Sequence, residues 1–151
     1  MHSGDIVESF VYREENYGVF LKYEDAEIFV HLPEMSWTER APANQLGLMN
    51  TLVAVKLIKY IEEKKQWLAS IRKAHPENNP YVNLSKVNSS TVFDGKVFSV
   101  SIGDFFVSME GGALGRISEN PLNKTISVGD DVRVSVIDVD PQEGKMNLML
   151  R

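Results

Sequence analysis

The chain has 151 residues, no cysteine and a formal net charge of −5. Without thiols it has neither disulfides nor thiolate metal sites, and an acidic balance does not suit a protein that coats nucleic acid by charge alone. No apolar run approaches the ~20 residues of a membrane-spanning helix. The opening Met1-His2-Ser3-Gly4-Asp5 lacks the basic and apolar regions of a secretory signal, so a cytoplasmic location is expected.

In chain order, residues 6–13 predict a first strand. A turn at Glu14-Glu15-Asn16 leads to a second strand over 17–23, and the acidic Glu24-Asp25 turn to a third over 27–31. Residues 33–50 are punctuated by Pro, Gly and Asn, with a short helical turn expected near Pro33. A fourth strand follows over 51–61, then the charged turn Glu62-Glu63-Lys64-Lys65 and a fifth strand over 66–72. Residues 76–90 read as a linker, in which Pro80 disfavours helix at Asn79 and Tyr81 and Leu84 offer apolar handles for docking on a domain. The order then recurs, with strands over 93–101, 104–109, 113–117, 131–139 and 145–150.

The recurrence extends to residues. Tyr17-Gly18-Val19-Phe20 and His31-Leu32-Pro33-Glu34 are echoed by Ile102-Gly103-Asp104-Phe105 and Arg116-Ile117-Ser118-Glu119, at an offset of 85. Val53-Ala54-Val55-Lys56-Leu57 is echoed by Val132-Arg133-Val134-Ser135-Val136 at an offset of 79. The pattern predicts two small domains, 1–75 and 91–151, joined by 76–90. Each is near the lower size limit for an independent core and so must be compact and strand-closed. Val132, Val134 and Val136 keep one parity, and Ile137 and Val139 take the other; Leu57 and Ile58 show the same slip. A phase slip inside a strand predicts a bulge, with which small barrels turn corners. The fold class is therefore all-β, two tandem five-stranded Greek-key barrels.

Catalytic patterns fail on inspection. Gly111-Gly112-Ala113-Leu114-Gly115-Arg116 lacks the Gly-Lys-Ser/Thr end of a phosphate loop. Asp138-Val139-Asp140 opens like a calcium loop, but Met149 stands where the bidentate Glu is needed. The three histidines share no metal-binding spacing, and no Ser/His/Asp order suggests a nucleophile. No enzyme activity and no cofactor are expected. Tyr17 and Phe20, three apart, would fall on opposite faces of a regular strand, so spacing alone leaves core and surface equally open for them.

Taken together, Tyr17-Gly18-Val19-Phe20, Val30-His31-Leu32-Pro33-Glu34-Met35-Ser36-Trp37, the paired strand-four blocks and Val136-Ile137-Asp138-Val139-Asp140 resemble the S-one, or S1, RNA-binding domain. This is an oligonucleotide-binding (OB-fold) barrel repeated in a bacterial ribosomal protein. The resemblance covers nearly the whole chain and occurs twice. It implies an RNA face of two aromatics, a histidine, and an acidic and a basic residue. In the first half these fall on Tyr17, Phe20 and His31, with Ile61 and Gln66 at the charged places and Lys64 and Lys65 beside them as substitutes. In the second half they fall on Phe105, Arg116 in place of the histidine, Asp140 and Lys145, with Ile102 replacing the first aromatic and Phe106 expected to pack inward. Trp37 is expected to anchor a loop. The implied function is non-enzymatic binding of single-stranded RNA, such as messenger RNA in translation. The alternative is a protein–protein adaptor docking on a ribosome or RNA-processing enzyme. No membrane partner is implied.

Overall fold

The computed structural model describes residues 1–151 and divides into two compact units, Met1–Asn78 and Asn79–Arg151. In the first unit β1 (Ile6–Glu15), β2 (Gly18–Tyr23), β3 (Ala26–His31), β4 (Leu52–Ile61) and β5 (Gln66–Ser70) close a barrel in the order β1-β2-β3-β5-β4. All neighbours are antiparallel except β3 and β5. Period-two alternation turns Val11, Val19, Leu21, Ile28, Val30, Val55 and Leu57 inward, where they are fully buried. The register of β4 against β5 slips between Leu57 and Lys59, so Ile58 is the extra residue of a bulge, as the phase slip predicts. A second slip, between Val11 and Arg13, makes Tyr12 a bulge residue of β1.

The connection from β3 to β4 begins with a 3-10 turn at Leu32–Glu34. Glu34 meets Arg72, just after β5, at 3.2 Å, and the Arg72 guanidinium lies 4.5 Å from the centre of the Trp37 ring. The Trp37 indole N–H donates to the His75 carbonyl at 3.2 Å. Trp37 is 5% exposed and Arg72 9%, so Trp37 pins the 32–50 segment to the chain that leaves β5, in line with its expected role as a loop anchor. Burial alone would push the Glu34 carboxyl up, but hydrogen bonds from Ser70 and Arg72 and the charges of Arg72 and Lys73 outweigh it and hold the group below the ordinary carboxylate range.

In the second unit β6 (Phe93–Ser101), β7 (Asp104–Met109), β8 (Leu114–Glu119), β9 (Asp131–Asp140) and β10 (Lys145–Leu150) close in the order β10-β8-β7-β6-β9, the same topology. Two of its bulges fall at the same places, with Phe98 extra in β6 and Ile137 extra in β9, and a third, at Ser118 of β8, is its own. Residues 79–84, inside the stretch read as linker, pack on this barrel. Tyr81 opens the one-turn helix α1 (Tyr81–Leu84). It is 2% exposed, and its hydroxyl accepts from the Leu114 N–H at 2.9 Å. The Asn79 side chain donates to the Pro141 carbonyl at 2.8 Å and accepts from the Tyr81 N–H at 2.9 Å.

Strand pairing corrects the alignment of the two halves. Glu15 pairs with Gly18 across the turn Asn16-Tyr17, and Ser101 pairs with Asp104 across the turn Ile102-Gly103. Gly18 therefore corresponds to Asp104 and Tyr17 to Gly103, an offset of 86 (104 − 18) rather than 85. The two glycines that suggested 85 are not equivalent. Gly103 sits in the turn at φ +78 with open space where a Cβ would be. Gly18 opens β2, where a Cβ would stand 2.4 Å from the Val30 carbonyl oxygen and 2.7 Å from the Phe29 ring. A slip of one residue reverses which side chains face outward, and this decides the composition of the second unit's surface.

Candidate nucleic-acid interface

On the first barrel the register places Arg13, Phe20, Phe29, Leu68 and Lys59 in one row across β1, β2, β3, β5 and β4. Their strand neighbours Val19, Leu21, Ile28, Val30, Leu57 and Ala69 are buried, so this row is the outer face. Tyr17, in the turn before β2, escapes strand alternation and reaches the same side, its ring centre 6.4 Å from Phe20 and 6.0 Å from Phe29. Phe20 and Phe29 lie 4.8 Å apart, and His31 stands 6.1 Å beyond Phe29. The Arg13 guanidinium covers Phe20 at 4.6 Å. Tyr17, Phe20 and His31 are thus brought together as expected. Tyr17 is 43% exposed, His31 is exposed and Phe20 half-buried.

Phe29, missed in the sequence, is the ring that joins the other three. Its signal was available: once His31 is placed outward, alternation puts Phe29 outward too. Gly18 is what lets it lie flat, since any side chain there would meet the Phe29 ring. Lys64 and Lys65 are not in this row. They lie in the 3-10 turn Glu62–Lys64 and its cap, beyond the pair Glu27–Gln66 and beside Glu62 and Glu63. Besides Arg13, the cation that the register puts on the face is Lys59, opposite Leu68.

The corresponding row of the second barrel is Ser99, Phe106, Arg116, Asn147 and Asp138. Here the expectation for the two phenylalanines is reversed. Phe105 has the parity of the buried Val107 and Met109, whereas Phe106 pairs with Arg116 on the outer side. Arg116 holds the place of Phe29, not that of His31. Where Gly18 makes room for a ring, Asp104 supplies a carboxylate to the Arg116 guanidinium at 3.1 Å. Arg116, Asp140 and Lys145 are brought together, as expected, on an open groove of about 450 Å³ whose wall includes Phe106, Asp138 and Asn147. Ile102 projects fully into solvent at the hairpin tip.

The first barrel therefore gathers several rings and two cations on one face, of the kind that track a nucleic-acid strand, and the second a single ring with Arg116. The sequence model of the S1 RNA binding domain matches residues 1–72 and again 86–151. The chain belongs to the S1 RNA binding domain family. Its two S1 domains account for nearly all of its length. The small ribosomal subunit protein bS1 of Chlamydia trachomatis is 28% identical over 148 residues, covering 90% of this chain and 26% of that protein. A 4-hydroxy-3-methylbut-2-enyl diphosphate reductase of Clostridium acetobutylicum is 27% identical over 161 residues, covering 100% of this chain and 25% of that protein. The chain thus spans about a quarter of the length of these relatives. Among solved structures, that of GSP13 from Bacillus subtilis aligns with 50% of this chain and 58% of its own, at 25% identity and a TM-score of 0.46. No helix is long and apolar enough to cross a membrane.

Proposed function

We propose that the chain binds single-stranded RNA without chemistry on it, through base stacking supplemented by a few phosphate contacts. The observation that carries this reading is the run Tyr17–Phe20–Phe29–His31 on the outer face of a barrel. Apolar rings on the outside of a small domain give up burial in its own core, and a base offers each of them a π-face. Arg13 and Lys59 flank the run, and Lys145 borders the second groove; these are the phosphate contacts, and Arg116 adds a guanidinium to that groove. The ribosomal relatives support a role in translation, for which messenger RNA is the ligand class proposed.

Equilibrium titration with an unstructured oligouridylate at several salt concentrations tests the reading. Two to four neutralised phosphates give a log–log salt slope of about −1.5 to −3 on a single strand. A slope near −6 would mean a basic surface elsewhere on the molecule. No binding at low salt would end the RNA reading. It would leave the adaptor reading, which has an observation of its own: Ile6, Phe10 and Leu52 are exposed on β1 and β4, with Phe10 directly opposite Leu52.

A further inference from the structure

The two barrels carry their outer rows at equivalent strand positions, yet the rows differ in kind. Between its cations the first row holds Phe20, Phe29 and Leu68, surfaces that accept any base and offer no donor or acceptor. In the second row only Phe106 is a ring, and Arg116, Asn147 and Asp138 replace Phe29, Leu68 and Lys59. The exchange of Lys59 for Asp138 matters most. A carboxylate there repels the phosphate that a lysine would attract, so affinity for the backbone does not account for it.

The polar groups are also fixed. The Asn147 side chain donates to the Asp138 carboxylate at 2.8 Å, which leaves the second carboxylate oxygen and the Asn147 carbonyl oxygen as acceptors on one side of the groove. Asp140, next on the same parity, accepts from the Glu143 N–H at 3.2 Å and so supports its turn. Arg116, held by Asp104 and directly beside Asn147, supplies donors, and Lys145, paired with Asp140, supplies a further one. The groove thus runs from the Phe106 ring through the Arg116 donors to the Asn147 and Asp138 acceptors. Guanine is the RNA base with that complement, since N1–H and the N2 amino group are adjacent donors that a carboxylate takes together, while O6 and N7 are acceptors that suit a guanidinium. Adenine and cytosine present one amino group next to a ring acceptor, which a carboxylate repels, and uracil presents a single N–H between two carbonyls.

We propose that the groove of the second barrel is a guanine-selective subsite, with Asp138 the discriminating acceptor and Asn147 its positioning residue. The first barrel stacks bases without preference. This rests on the RNA-binding reading above and adds base selectivity to it.

The test uses the full chain and short oligouridylates whose central base is guanine, inosine, adenine or uracil. Binding is followed at the backbone amides of Arg116 and Asn147 by heteronuclear NMR, which separates this groove from the ring face of the first barrel. Guanine is expected to bind about 5- to 150-fold more tightly than adenine or uracil, the range of one good bidentate pair. Inosine, which lacks the N2 amino group, falls between. Asp138→Asn should bring all four within about twofold with the fold unchanged. Asp138→Lys, which installs the residue of the first barrel, should do the same and steepen the salt slope by about 0.7. Shifts at these amides with no base preference overturn the guanine subsite and leave RNA binding standing. A guanine preference that survives in Asp138→Asn overturns the role of Asp138. No shift in either barrel with any oligonucleotide overturns the RNA reading, and the subsite with it.

Discussion

Phe29→Ala is the substitution that separates a surface platform from a barrel core. The Phe29 ring is half-buried on the outer face and meets Phe20 at 4.8 Å and Tyr17 at 6.0 Å. An aromatic pair at such distances contributes about 0.5–1.5 kcal/mol beyond its area. Losing two pairs therefore costs about 1–3 kcal/mol, against about 3–5 kcal/mol for a phenylalanine removed from a sealed core. At roughly 4–8 °C per kcal/mol for a domain of this size, the first barrel should melt about 4–24 °C lower and remain folded at room temperature. Both tryptophans, Trp37 and Trp67, lie in the first unit, so tryptophan fluorescence reports its melting separately. RNA binding should suffer more. A base stacked on Phe29 is worth about 1–3 kcal/mol, or about 5- to 150-fold in Kd, and the salt slope should not change because no phosphate contact is lost. The effect should exceed that of Tyr17→Ala, since Tyr17 touches the run only from its end. A folded Phe29→Ala protein that binds oligouridylate within twofold of the wild type would refute the platform.

Two further outcomes follow from the geometry. Gly18→Ala forces a Cβ against the Val30 carbonyl and the Phe29 ring; it should cost about 1–3 kcal/mol and weaken RNA binding to the first barrel. Gly103→Ala meets only backbone strain at its positive φ, about 1–2 kcal/mol, and should leave that binding alone; equal losses in the two variants would contradict the strand-derived correspondence. The Glu34 carboxyl is held low in the folded state, so its contribution is complete above the unfolded carboxylate value of about 4.3 and disappears as pH falls through the lower folded value. Glu34→Gln should accordingly lower the first barrel's Tm at pH 7, and the gap to wild type should close below about pH 4. A gap that stays constant in melts from pH 7 to 3 would show that the charge of Glu34 plays no part.

Much of the barrel was legible because strand period and strand length are written in local residue choice. The phase slips at Leu57-Ile58 and Val136-Ile137 located two bulges. The bulges at Tyr12 and Phe98 were not read, because each follows a buried valine and is itself an aromatic, so the apolar pattern around it shows no clear change of phase. The site was harder to read than the fold. Tyr17, Phe20 and His31 could be matched to a motif, but Phe29 is a site residue only through its register against Phe20 and the space above Gly18. In the second half the matching of Gly18 with Gly103 displaced the β7 assignment by one residue and the β8 assignment by two, while Asp140 and Lys145 kept their places. It chose Phe105 over Phe106 and gave Arg116 the place of a histidine rather than that of Phe29. Glycine is a poor anchor for alignment because it serves two unrelated needs, a positive φ in one turn and a missing Cβ in the other strand.

Closure of the two sheets limits what a protein partner could do. In each barrel every strand has a neighbour on both sides, so no full-length edge is left on which a foreign strand could pair, only short one-sided stretches such as 13–15 of β1 and 59–61 of β4. Recognition by strand addition, a common way for extended peptides to bind β proteins, is therefore confined in these domains to those short stretches. A protein that docks on them must do so with its side chains against theirs. Its affinity would then depend on the identity of a few outward residues, such as Phe10 and Leu52, and little on the main chain.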